Sequence, residues 1–319
     1  MRTHHRSPMN RGLVVFASLT ILASGAVAST PVRRTPDACK ASTQGAFRAC
    51  RQEAQGVKSL TLARCENLVD PTAAKACKQQ ASVDGKDALA SCKEQADARA
   101  AVCEKLGPAP YAPPIDPAKF VGPIDNPLFP LVPGTTFIYE GQTVDGLEHD
   151  EFAVTHNTKT ILGVACVEVH DVVTVAGKLI EDTLDWFAQD AAGNVWYFGE
   201  NSKQIADGLV VGVEGSWAAG IDGAQPGIIM EAHPVVGDFY RQEFLLAEAE
   251  DLAQVSSLDE TVTLANQQAF MHCVKTTETS PLEPDALENK LYAPGVGNVL
   301  VIDVTTGETA ELVQVISGL

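Results

Sequence analysis

Six cysteines between residues 39 and 103 stand 11, 15, 12, 15 and 11 residues apart, a palindrome whose midpoint is Pro71. Residues 37–106 around them are rich in Ala, Lys, Gln, Glu and Arg, with one proline and one aromatic, Phe47. Such residues are strong helix formers. Folding the chain back at Asp70-Pro71 as two antiparallel helices sets residues equidistant from the turn side by side. Among the many pairings six cysteines allow, only the nested ladder of Cys39 with Cys103, Cys50 with Cys92 and Cys65 with Cys77 puts every pair at one height. Spacings of 11 and 15 are close to whole helical turns, so the cysteines share a face. The segment has no histidine and no C-x-x-C, which disfavours a zinc site. A disulfide ladder needs an oxidising compartment.

The amino end agrees with that compartment. A basic MRTHHRSPMNR precedes an apolar run over residues 12–25 and the small residues Ala26-Val27-Ala28, the pattern of a secretory leader over residues 1–28. The run is too short for a membrane span. The expected location is periplasmic or extracellular. Charge divides the rest: residues 37–106 carry 11 Lys/Arg against 9 Asp/Glu, and residues 107–319 carry 7 against 32. So acidic a part repels phosphate backbones and anionic lipid surfaces, which excludes nucleic acid and leaves cations, sugars and neutral apolar ligands. The oligomeric state has no signature.

Nine of the 18 prolines fall within residues 107–134, too many for helix or central strand. Residues 107–117 read as a linker, and 118–319 as an acidic β domain into which Phe120, Leu128, Phe129 and Leu131 pack. From Thr135 on, β-branched and aromatic runs alternate with Gly, Asp, Asn and Pro signals across short gaps, which means an antiparallel meander. About a dozen strands exceed what a flat sheet carries, so the sheet must curl into a barrel, half-barrel or sandwich. The fold class is α+β. Cys166 and Cys273, on well-separated strands, are expected to pair; residues 220–234 are expected to form a long loop, and residues 247–255 a short helix.

The strings NPLFPLVPGTTFIYEG, LIEDTLDWFAQDAAGNVWYFGE, GSWAAGIDGAQPGIIM, GDFYRQEF and SPLEPDALENKLYAPGVGNV resemble a group of uncharacterised exported bacterial proteins with a cysteine-bearing hairpin and a β-rich domain. That resemblance implies export and this architecture, and brings no activity. The ending ENKLYAPGVGNVLVID with TGETAELV is similar to the closing hairpin of periplasmic half-barrel proteins of the lipoprotein-carrier sort, which implies a concave sheet for apolar ligands.

Common catalytic signatures are absent: there is no G-x-S-x-G, no H-E-x-x-H and no phosphate-cradling glycine loop. Residues 179–201 hold two of the three tryptophans and read as a hairpin turning at Asp190-Ala191-Ala192-Gly193-Asn194. Besides Asp190 in the turn, its carboxylates are Glu181, Asp182, Asp185 and, on the second strand, Glu200. Alternation puts Glu181 and Asp185 on one face and Asp182 on the other with Trp186. Carboxylates beside tryptophan suit a glycosidase pair, with Asp185, Glu200 and Glu181 as candidates. Glu181, Asp182 and Asp185 also suit a hard cation such as calcium. A plain solvated strand face is the third reading. A ligand would lie on Trp186, Trp196 and Tyr197, with Trp217 and the rare cation Arg241 nearby and residues 220–234 as a flap. The leading expectation is a non-catalytic exported module binding a small apolar or carbohydrate ligand. The alternatives are a carboxylate-dependent glycan hydrolase and a structural envelope protein.

Overall fold

Asp37 and Asp70 each stand one residue before a helix and accept its first free N–H groups, Asp37 from Lys40 (2.9 Å) and Asp70 from Thr72 and Ala73 (3.1 Å each). In the computed structural model, which describes residues 37–317, they begin α1 (Ala38–Glu66) and α2 (Pro71–Leu106). Pro71 opens α2, where its missing N–H costs nothing. The leader expected over residues 1–28 lies outside the described residues. Among those described, no helix is long and apolar enough to cross a membrane.

The ladder is formed: Cys39–Cys103, Cys50–Cys92 and Cys65–Cys77 have Cα separations of 5.7, 5.8 and 5.6 Å. The bridges stand in for a core, since α1 buries only Ala46, Ala54 and Cys65. Each closure is worth about 3–4 kcal/mol in the chain-entropy model. Full reduction should therefore remove most of the helical far-ultraviolet signal while the near-ultraviolet signal of the buried Trp186 and Trp217 persists. A helical signal indifferent to reductant would show the ladder to be dispensable.

The chain then runs through β1 (Phe120–Val121), β2 (Thr135–Thr143), β3 (Gly146–Ile161), β4 (Val164–Val175), β5 (Lys178–Asp190) and β6 (Val195–Asn201). Three short strands follow, β7 (Gln204–Ala206), β8 (Leu209–Gly212) and β9 (Trp217–Ala218). The rest are β10 (Gln225–Met230), β11 (Phe239–Arg241), β12 (Glu243–Phe244), β13 (Leu252–Thr263), β14 (Ala269–Ser280), β15 (Glu283–Ala293), β16 (Gly297–Asp303) and β17 (Thr309–Ser317). Thirteen of them, β2 to β6 and β10 to β17, form a nearly closed antiparallel barrel. The seam is short: β10 pairs β6 on one side and β12 on the other, and β11 pairs β13. Closure leaves few free edges.

Three expectations are corrected here. Residues 220–234 are not a flap, because 225–230 are β10, a strand of the seam. Gly227 permits it: a Cβ there would lie 2.3 Å from the Gln242 carbonyl carbon. Residues 247–255 form no helix; the chain turns at Ala247 (φ 67°), whose N–H bonds Glu250, and enters β13. Cys166 and Cys273 are both free and buried. They sit on β4 and β14, separated around the ring by five strands (β15, β16, β17, β2 and β3), whereas a bridge needs Cα atoms within about 7 Å.

The hairpin is docked on the barrel rather than held off it. Arg99 on α2, 4% exposed, gives Nε to Glu250 Oε1 (2.8 Å) and Oε2 (3.1 Å), and Glu250 is 1% exposed. Gln95 Nε2 donates to Leu282 O (2.9 Å), and Lys105 Nζ lies 4.2 Å above the Phe239 ring. In the proline stretch, Tyr111 donates its hydroxyl to Pro226 O (3.0 Å). Beyond it, Ile124, Leu128 and Leu131 are buried in the barrel core.

Candidate functional site

Alternation along the long strands sends Asp150, Phe152 and Val154 of β3 inward, with Val169 and Asp171 of β4 and Asp185 and Phe187 of β5. Of these, Asp150, Phe152, Asp171, Asp185 and Phe187 line a cavity of about 360 Å³ in the lumen. Its wall has two levels. One is aromatic: Phe187 stacks on Tyr197 (centroids 4.8 Å apart, planes 18° apart), and Phe129, brought in by the segment before β2, lies 5.6 Å from Phe187 and 6.3 Å from Tyr292. The other is acidic. Asp150, Asp171, Asp185 and Glu200 line it from β3 to β6, and Glu243, Asp251 and Glu278 from the opposite wall. Lys290 is the one ammonium in the lining.

A bulge sets the β6 side chains. Asp185 faces Glu200 across the β5–β6 ladder and Phe187 faces Tyr197, with a register shift between. The extra residue is taken up near Gly199 (φ 136°), where a Cβ would lie 2.4 Å from Trp217 O. Tyr197 and Glu200 therefore both face the lumen although three residues apart.

Several of these polar groups are engaged by the protein. Tyr197 donates its hydroxyl to Asp185 Oδ1 (2.5 Å). Glu278 accepts from Thr276 (2.8 Å) and Tyr292 (3.3 Å) and pairs with Lys290 Nζ (2.9 Å). Asp150 and Asp171 hydrogen-bond each other, whereas Asn298 Oδ1 and Gln242 Nε2 have no partner among the described residues. Gln242 is 3% exposed and interrupts the strand between β11 and β12 at the seam.

Burial and crowding push the acids up. Burial, Asp171 and Glu181 raise Asp185 to about 8 against its Tyr197 bond, and burial with Glu243 and Asp185 raises Glu200 to about 9. Burial and then Asp251 hold Glu243 well above the usual range. Asp150 and Asp171 also rise through burial, Asp150 further because Asp171 lies beside it. Burial opposes the charge on Lys290, but Glu278, Tyr292 and Glu288 more than offset it and raise its pKa.

Of the residues singled out in the sequence, Asp185, Glu200 and Tyr197 line the cavity. Glu181 shares the inward face of β5 but is held outside the lining by Thr183 Oγ1 (2.7 Å) and Ser202 Oγ (3.5 Å). Asp182 faces away, 3.3 Å from both His170 Nε2 and Lys203 Nζ. The proposed calcium trio is thus split between two faces, and among the described residues no three His, Cys, Asp or Glu side chains converge on a metal position. Trp186, Trp196, Trp217 and Arg241 do not line the cavity. Trp186 bonds Glu168 (3.3 Å) under the Lys159 ammonium, Trp196 bonds Asp190 Oδ2 (2.9 Å), and Trp217 is buried edge-on behind Tyr197 at 5.4 Å. Arg241 is 7% exposed between the hairpin and barrel, its guanidinium 4.3 Å from the Phe244 centroid and 5.5 Å from that of Tyr111.

Sequence reasoning missed Asp150, Asp171, Gln242, Glu243, Asp251, Glu278 and Lys290. For the first two a signal existed: in HDEFAVTH and VEVHD, each acid occupies the same alternation phase as buried Val154 or Val169.

No protein-family model and no curated protein matches the chain. Among solved structures, a candidate lipoprotein from Parabacteroides distasonis is similar at 13% identity and a TM-score of 0.32, over 59% of this chain and 98% of that one.

Proposed function

We propose that the protein is an exported binding protein whose barrel lumen encloses a small polar ligand. The observation that carries the reading is a cavity of about 360 Å³ whose buried lining includes polar atoms with no partner among the described residues, Gln242 Nε2 and Asn298 Oδ1. Buried polar groups are normally paired, and a concave site with an aromatic level and convergent polar groups is the usual form of a ligand pocket. The acidic level argues against a purely apolar ligand. Three disulfides and a leader-like amino end support a periplasmic or extracellular setting.

Native mass spectrometry of protein recovered from its exporting host is expected to show a noncovalent low-mass adduct released on denaturation. Ala310→Trp, which fills the lumen from β17, should abolish the adduct, with Val301→Phe as a milder second filling. Adduct retained by folded forms of both variants would remove the ligand from the lumen.

Hydrolysis is the second reading, and the pairing of Asp185 with Glu200 in one lumen favours it. It ranks second because both groups are held above neutrality, leaving neither ionised as nucleophile or base. Turnover of a glycan panel that vanishes in Glu200→Gln would reverse the order.

A further inference from the structure

We infer that the ligand is a small organic polycation: two or more ammonium groups on a compact frame, with an acceptor oxygen for Gln242 Nε2. This rests on the binding reading above and names its ligand class. In the lining seven carboxyl groups face one ammonium, Lys290, already paired with Glu278. Burial keeps acids such as Asp185 and Glu200 protonated while the lumen is empty; an entering ammonium draws off those protons and pairs with the carboxylates, whereas an anion finds no free cation to meet.

The distribution of the acids then selects the kind of cation. No three of them converge as a metal site requires among the described residues, so a single compact ion meets too few oxygens at once. Charges spread around a lumen match charges spread along a molecule. Asp150 and Asp171, neighbours across β3 and β4, hydrogen-bond each other through a shared proton, which one ammonium replaces. Asp185 and Glu200, opposed across β5 and β6, accept from a second. The Phe187–Tyr197 stack offers ring faces to the frame and its charge.

Gln242 adds an independent requirement. It is 97% removed from solvent, lines the cavity, and its amide N–H groups have no acceptor in the protein. A bare polyamine supplies none, whereas a hydroxylated or aminated sugar frame does. Amines on an aliphatic chain and amines on a sugar share the first chemistry and differ in this one.

Binding is also proton-linked. The groups facing Asp185 are Tyr197, Asp171 and Glu181, and those facing Glu200 are Glu243, Asp185, Glu181 and Asp251. All but Tyr197 are acids, so an entering ammonium displaces protons and affinity rises with pH up to the point where the ligand's own amines discharge.

The test is calorimetric titration of the full exported chain with streptamine (a hydroxylated ring bearing two amino groups), spermidine, N-acetylglucosamine and calcium, each alone, at about 0.15 M salt to screen the acidic exterior. The amine ligands should bind one per chain, at least about tenfold tighter than N-acetylglucosamine or calcium, and tighter still as pH rises from about 6 to about 8. Asp185→Asn should weaken both amines. Gln242→Leu should weaken streptamine and spare spermidine if the frame oxygen is the acceptor, and a loss for neither overturns the Gln242 assignment. N-acetylglucosamine binding as tightly as streptamine in a way that Ala310→Trp abolishes overturns the cation class and leaves the lumen reading standing. Calcium binding as tightly as the amines also overturns it. No lumen binding by any of the four, with no adduct in the native spectrum, sinks both.

Discussion

Raising the pH from about 6 to about 9 should destabilise the ligand-free protein by several kcal/mol, read as a fall in the urea midpoint at constant slope. The cause is the acid level of the lumen. Burial lifts Asp185 from 3.8 to about 8, and burial with Glu243 lifts Glu200 from 4.5 to about 9. In the unfolded chain both lose their protons near their ordinary values, so between those values and the raised ones the folded state binds more protons. The stability held by the neutral forms is fully present below the unfolded pKa and is lost as pH rises through about 8 and 9. At about 1.4 kcal/mol per unit, two such groups dominate the profile even after generous discount for water entering the lumen. Asp185→Asn and Glu200→Gln should each flatten the curve and raise stability at the alkaline end. A flat wild-type profile would mean that the lumen is solvated and its acids ordinary.

The second large effect is expected where the hairpin meets the barrel. Glu250, 1% exposed, lies between Arg99 and the field of Arg241, both more than nine-tenths buried. Arg99 Nη2 comes within 2.7 Å of Glu250 Oε1, and the Ala247 N–H donates to the same oxygen (2.8 Å). Glu250→Leu strands two buried cations with no anion between them. Removing one partner of a buried pair costs about 3–5 kcal/mol, and this change should sit at the upper end, with the hairpin loosening first. Glu250→Leu combined with Arg99→Met should recover much of the loss. A single variant within about 1 kcal/mol of wild type would mean that water reaches the junction.

How much of this was legible in the sequence varies with the range of the interaction. The cysteine palindrome encodes a local geometry, two helices about one turn, and nothing distant can change which residues stand opposite. The β5–β6 hairpin was equally plain, because the Asp190 carboxylate accepts from the N–H groups of Ala192 and Asn194 within its own turn. Barrel closure was not. It depends on β10, six residues long, passing Gln242 where only Gly227 fits, and no local pattern shows which distant strand it meets. The same holds for Cys166 and Cys273, whose positions around the ring follow from strand order. At the site, alternation reveals faces but not bulges: strict alternation from Trp196 puts Tyr197 and Glu200 on opposite faces, and the register shift near Gly199 reunites them. The tryptophans drew attention by size, yet they pack behind the wall that the smaller acids line.

The central claim is that the lumen, and not the outer surface or the hairpin, receives the ligand. Methyl-selective NMR during titration with streptamine, the hydroxylated diamine, tests it most directly. Ile229, Val301 and Ala310 line the cavity, while Val57 and Leu60 stand exposed on α1. The account predicts saturable shifts in the methyl groups of Ile229, Val301 and Ala310 with those of Val57 and Leu60 unmoved. Shifts confined to α1 or to the outer faces of the strands, with Ile229 and Ala310 still, would contradict it.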